Sequence, residues 1–193
     1  MKHWVEYLQT RTDDKGIVVR EEPNGWCLGE WSTPHNRIEI PASLVNTAYF
    51  YHVTCIMADV AGILDKKEDE HHLHTLAETI RKNFNAAFYN DVTHHYWEGK
   101  QGADVFALAF GLVLEGKQEK VFSALLEHLK KVNYHFDTGI LATPLLLKVL
   151  TENGRADLAY KLMNQRDFPS YGYLADKKNN TLWETWNGDG NDE

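Results

Sequence analysis

The chain has 193 residues, of which 43% are apolar and 12% aromatic, and it carries a formal charge of −8. That is enough apolar material for one cored domain, and the negative balance excludes nucleic acid and anionic membrane as the main partners, because neither would be attracted electrostatically. There is no run of about 18 apolar residues, the first 20 residues carry Trp4, Glu6, Asp13 and Asp14 where a leader would be apolar, and Cys27 and Cys55 are too few for a disulfide framework or a zinc site.

In chain order, residues 2–9 place Trp4, Val5 and Leu8 on one face and read as an outer helix without its inner partner. From about Ala42 to Ile63 apolar or small residues occupy nearly every face (Leu44, Val45, Ala48, Tyr49, Tyr51, Cys55, Ile56, Val60), the pattern of a helix buried all round. The next helix, about Glu68 to Phe88, has a one-sided stripe at Leu73, Leu76, Ala77, Ile80, Phe84, Ala87 and Phe88, so it lies outside. The alternation repeats. An inner helix is predicted at about Ala103 to Leu114 and an outer one at about Gln118 to Val132; then comes an inner one at Leu141 to Leu150. Asn153-Gly154 turns the chain into an outer helix with Leu158, Ala159, Leu162 and Met163 on one face.

Three hairpins emerge, each inner then outer, with short turns inside them and long connections between them at roughly 89–102, 133–140 and 166–182. Trp183 onward reads as the start of a fourth inner helix. The fold class is all-α, an incomplete (α/α)6 toroid of about three hairpins or, failing that, an open helical solenoid. Residues 1–193 form a single domain fragment on this reading, cut at both ends, with missing barrel segments as partners.

Long connections between hairpins gather on one rim. That rim collects Trp26, Glu30 and Trp31, then Trp97, Glu98, Gln101 and Asp104, then His135 and Asp137, and finally Tyr171, Tyr173, Trp183, Glu184 and Trp186. Acids beside aromatic rings suit a carbohydrate, because rings stack on the apolar faces of a sugar while carboxylates accept its hydroxyls or move protons. Glu184 stands between Trp183 and Trp186, where reduced solvation would tune its pKa; an acid at a helix N-terminus is the alternative reading. Glycoside hydrolysis needs two carboxyl groups, and Glu30, Glu98 and Asp104 are candidates for the second without being singled out. His71, His72 and His74 lie on the charged side of an outer helix, and His94-His95 in a loop, with no framing acid motif, so no metal and no cofactor is expected.

Seven segments, in order, resemble the catalytic domain of the bacterial α-L-rhamnosidases, which belong to the six-hairpin glycosidases. They are Gly29-Glu-Trp31, Pro41-Ala-Ser-Leu-Val-Asn-Thr-Ala-Tyr-Phe-Tyr-His52, Gln101-Gly-Ala-Asp-Val-Phe-Ala-Leu108, His135-Phe-Asp-Thr-Gly139, Asn153-Gly-Arg-Ala-Asp-Leu-Ala-Tyr160, Phe168-Pro-Ser-Tyr-Gly-Tyr173 and Thr181-Leu-Trp-Glu-Thr-Trp186. The resemblance implies an (α/α)6 barrel and inverting hydrolysis of terminal α-L-rhamnose without a general metal requirement. Glu184 matches the family's general base, about 6.5 to 9.5 Å from its acid in an inverting enzyme. Trp31 matches a tryptophan lining the sugar pocket, and His135 falls in a motif near it. Glu30, Trp183 and Trp186 complete the expected substrate-binding set. The family's general acid belongs to an acid-rich motif upstream, and a His-containing substrate motif lies downstream. Neither is in these residues, so the chain alone is expected to be inactive or nearly so. Glu30 stands where the family commonly has Asp, Ala142 where Gly is usual, and Lys178-Asn-Asn180 where Gly-Ala-Thr is common. A different exo-glycosidase on the same barrel and a non-catalytic carbohydrate-binding helical module are the other functions this sequence could serve.

Overall fold

A computed structural model describes residues 2–19, 28–35, 37, 39–177, 181–183 and 185–186. Among them are eight helices: α1 (Lys2–Gln9), α2 (Ala42–Ile63), α3 (Lys67–Phe88), α4 (Gln101–Phe110), α5 (Gln118–Lys131), α6 (Ala142–Glu152), α7 (Ala156–Met163) and α8 (Tyr171–Asp176). Helices α2, α4 and α6 pack side by side as an inner layer, and α3, α5 and α7 each cover the inner helix that precedes them. The arrangement is an arc of an α/α toroid. None of the helices described is long and apolar enough to cross a membrane.

Pattern and packing agree closely in the outer layer. Helix α3 buries Leu73, Ala77, Ile80, Phe84 and Phe88, the stripe that a 3.6-residue period places on one face, and α5 buries Val121, Leu125 and Leu129 in the same way. Each of the Val, Leu, Ile and Phe side chains contributes about 1.5–3 kcal/mol when withdrawn from water. Polar bonds then tie one hairpin to the next: the Tyr96 hydroxyl donates to Asn85 Oδ1 at 2.5 Å, and Asn85 Nδ2 donates to the Leu112 carbonyl at 2.7 Å. These groups are buried, and each would cost free energy if left unpaired.

Four expectations need correction. Helix α2 is not buried all round, since Ile56 and Ile63 are exposed; α1, α3 and α4 cover only part of its circumference. Helix α4 stops at Phe110 rather than near Leu114, because Gly111 takes a left-handed conformation (φ 74°) and the Leu112 N–H turns back to the Ala107 carbonyl, a glycine-ended helix stop. Leu112 and Val113 are buried all the same, outside the helix. Trp4, Ala87 and Met163 lie off their stripes and are exposed, Trp4 stacking on Tyr7. Within the connection expected at 166–182 sits α8, started by Ser170, whose hydroxyl oxygen accepts the Tyr173 N–H at 3.0 Å.

Candidate active site

Three rim segments meet at the turn before α6. Thr138 to Ala142 is the centre of this junction. From the connection before α2, Glu30 Oε1 accepts the N–H groups of Gly139 (2.6 Å) and Ala142 (3.0 Å), and the Trp31 carbonyl accepts the Ile140 N–H at 3.0 Å. Ala142 opens α6, so its N–H has no partner inside the helix, and the Glu30 carboxyl supplies one from far along the chain. Pro144 in the same first turn has no N–H to lose. Gly139 is required by closeness: a Cβ there would lie 1.9 Å from the Trp31 carbonyl oxygen.

From the C-terminal segment, Trp186 Nε1 donates to the Thr138 carbonyl at 3.0 Å. Its ring, 6% exposed, stacks on Phe136 (5.0 Å between centroids, 21° between planes) and meets Tyr171 edge-on at 5.2 Å. The Thr143 hydroxyl completes the junction, lying 2.7 Å from Thr138 Oγ1 and 2.7 Å from the Gly139 carbonyl.

A cavity of about 590 Å³ opens beside this junction. Trp183, Thr185 and Trp186 line it from the C-terminal segment, Tyr171 and Leu174 from α8, and Gly139, Ile140 and Thr143 from the turn. Ser32 closes another side with a left-handed backbone (φ 55°), a conformation uncommon outside glycine. The wall is chiefly apolar and aromatic with scattered hydroxyls, a surface that can stack on one face of a small polar ring and hydrogen-bond its edge.

Of the expected substrate-binding residues, Trp183 and Trp186 line the cavity. Glu30 and Trp31 stand behind its wall, bonded to the backbone of lining residues. Glu30 is 4% exposed, and its Oε2 is buried with no hydrogen-bond partner among the described residues. Burial pushes its pKa up to about 7 against the opposing pull of the N–H groups of Ala142 and Gly139. His135 is also set back from the cavity: its Nδ1 lies 3.2 Å from the Val132 carbonyl, and its Nε2 lies 3.0 Å from Asp167 Oδ1 without the alignment of a hydrogen bond. That imidazole holds the Asp167 carboxyl below the usual carboxylate range. Glu184, Trp26, Cys27 and Lys178-Asn-Asn180 lie outside the described residues.

Two other rim acids, Asp104 and Asp137, serve the scaffold. Asp104 is fully buried, accepting the Tyr96 N–H at 2.7 Å and pairing with His95 Nδ1 at 2.6 Å, which raises the pKa of His95. Asp137 pairs with His128 Nε2 at 2.8 Å, its Oδ1 accepts the Gln101 N–H, and its own N–H donates to Gln101 Oε1. Trp97 and Glu98 are exposed and do not line the cavity. Among the described residues no group of three or more His, Cys, Asp or Glu is arranged to hold a metal, and His71, His72 and His74 are exposed on α3. Sequence reasoning missed Ser32, Ile140, Thr143 and Leu174 as lining residues. Only Ser170 ahead of Tyr171 and Leu174 was a usable signal, a helix cap followed by apolar residues three apart.

Over residues 1–193 the chain matches the family model described as the bacterial alpha-L-rhamnosidase 6 hairpin glycosidase domain. It is 33% identical over 187 residues to an alpha-L-rhamnosidase of Formosa agariphila, covering 97% of this chain and 20% of that protein. With an alpha-L-rhamnosidase of Streptomyces avermitilis it is 34% identical over 188 residues, covering 95% of this chain and 17% of that one. Among solved structures, the alpha-L-rhamnosidase from Dictyoglumus thermophilum superposes with a TM-score of 0.86 at 33% identity, over 96% of this chain and 21% of that one. The Streptomyces avermitilis alpha-L-rhamnosidase complexed with L-rhamnose does so with a TM-score of 0.83 at 33% identity, over 96% and 17%. The chain thus spans about a fifth of the length of these relatives.

Proposed function

Since the chain belongs to the bacterial α-L-rhamnosidase six-hairpin glycosidase domain family, we propose that it forms part of the catalytic domain of a glycoside hydrolase that releases terminal α-L-rhamnose with inversion. Glu184 is the general base of this reaction: it takes a proton from water on the face of the sugar opposite the leaving group, while a carboxylic acid outside these residues protonates the departing oxygen. The observation that carries the reading is the aromatic cavity, because Trp183, Thr185 and Trp186, the neighbours of Glu184 in sequence, all line it. A 6-deoxy sugar has one more apolar edge than an ordinary hexose. The Tyr171, Trp183 and Trp186 rings supply surface for that edge, and Ser32, Thr143 and Thr185 supply hydroxyls near it.

The test uses the full-length protein that carries this chain, with p-nitrophenyl α-L-rhamnopyranoside as substrate and L-rhamnose as ligand. Glu184→Gln should lower kcat by about 10²–10⁴-fold, the range of one positioned acid–base group, and leave L-rhamnose binding within about threefold, because the amide keeps the shape of the carboxylate. Undiminished turnover by that variant would remove Glu184 from the mechanism. Retention of anomeric configuration in the released sugar, read by NMR, would remove the inverting assignment.

A further inference from the structure

Glu30 raises a question that acid–base chemistry does not answer: it is a buried carboxyl whose side-chain bonds to Gly139 and Ala142 both fall on one oxygen. Oε1 receives Gly139 and Ala142, while Oε2 is buried without a partner among the described residues. Among those residues Glu30 has no salt bridge either, so it is not one half of an ion pair there. Nor does it line the cavity, although three residues of the turn that it holds do, namely Gly139, Ile140 and Thr143.

Within its own segment that turn is braced by the Thr143 hydroxyl, 2.7 Å from Thr138 Oγ1 and from the Gly139 carbonyl, and two further bonds reach it from the rim. The Ile140 N–H is bonded to Trp31, the residue next to Glu30, and Thr138 receives Trp186 on the other side. Gly139 fits against the Trp31 carbonyl only because it has no side chain. A shift of the connection before α2 would therefore carry the turn with it and change the width of the cavity.

On the reading of the cavity as a rhamnoside site, we infer that Glu30 is a positioning residue: through Oε1 it fixes the Gly139–Ala142 turn, and so the cavity wall formed by Gly139, Ile140 and Thr143, without touching the sugar. The chemistry asked of it is acceptance of two N–H groups at one point. An amide oxygen can do the same, whereas a methyl cannot.

The experiment compares Glu30→Ala and Glu30→Gln in the full-length protein by two independent readouts. The first is hydrogen exchange at the Gly139 and Ala142 amides, with amides in the middle of α6 as the internal control for folding. Glu30→Ala should speed exchange at those two amides by at least about tenfold while the control amides hold, and Glu30→Gln should restore most of the protection. The second is steady-state hydrolysis of p-nitrophenyl α-L-rhamnopyranoside. Glu30→Ala should raise KM about tenfold or more with a smaller change in kcat, and Glu30→Gln should recover most of that loss. A kcat lowered about 100-fold or more in Glu30→Gln with both amides still protected would overturn the inference, because the carboxyl would then act on reacting atoms. Unchanged exchange in Glu30→Ala would overturn it as well. If the unaltered protein hydrolyses no rhamnoside, the proposed function fails, and the exchange measurement still decides the part played by Glu30.

Discussion

The protonation of Glu30 makes a quantitative forecast for stability. Its pKa rises from 4.5 to about 7 on folding, chiefly because the carboxyl is withdrawn from water. A raised carboxyl pKa means that the folded state holds the proton more tightly, so the stabilisation is fully present below pH 4.5 and is lost as the pH rises through about 7. At about 1.36 kcal/mol for each tenfold gain in proton affinity, the whole effect is about 3 kcal/mol, of which about 2.5 falls between pH 5 and pH 8. Tyr49 on α2 is an ionisable neighbour; its own pKa is raised, first by burial and then by Glu30, so it stays neutral throughout this window. In Glu30→Gln the residue cannot titrate. The buried amide N–H₂ then sits where Oε2 finds no partner among the described residues, at a cost of about 1–3 kcal/mol that does not change with pH. Urea denaturation of the two proteins at pH 5, 6, 7 and 8 should give curves that converge or cross, with Glu30→Gln gaining about 2–3 kcal/mol on the unaltered protein across the series. The His95–Asp104 pair titrates in both proteins and cancels from the difference. Parallel curves would refute the reasoning, for they would mean that Glu30 titrates alike folded and unfolded.

Two further outcomes follow from the same junction. Gly139→Ala should destabilise the protein by about 2–4 kcal/mol, read by thermal melting, because a Cβ 1.9 Å from the Trp31 carbonyl oxygen forces the turn away from the rim segment that holds it. Trp186→Phe should cost about 1–2 kcal/mol, losing the bond to the Thr138 carbonyl while keeping the stack on Phe136, whereas Trp186→Ala should cost about 3–5 kcal/mol by urea denaturation, since the ring is almost wholly buried.

The layered helices were legible because burial follows period. Helix α3 spans Lys67–Phe88 against an expectation of about Glu68 to Phe88, and α2 spans Ala42–Ile63 as expected, since long apolar stripes are sampled many times over. The end of α4 was less legible: Leu112 and Val113 continue the apolar run and are buried, so hydrophobicity alone cannot show that Gly111 has already turned the backbone. The rim was read as a set of aromatic and acidic residues without their division of labour. Gln101, Asp104 and Asp137 have the composition of a sugar site and spend their polar atoms on one another's loops, on His95 and on His128.

What the sequence by itself determined is the alternation of all-round apolar and one-sided helices, the hairpin order, the long connections between hairpins and the resemblance of its motifs to one glycosidase family. Each of these depends on residues close along the chain or on their order. What only the tertiary structure decided is which rim residues face the cavity. Glu30 and Gly139 are 109 positions apart and Thr138 and Trp186 are 48, and neither bond leaves a mark in local periodicity. The same carboxylate can be a substrate ligand or a clasp on a helix start, and the choice is made by which backbone N–H groups packing brings within 3 Å of it.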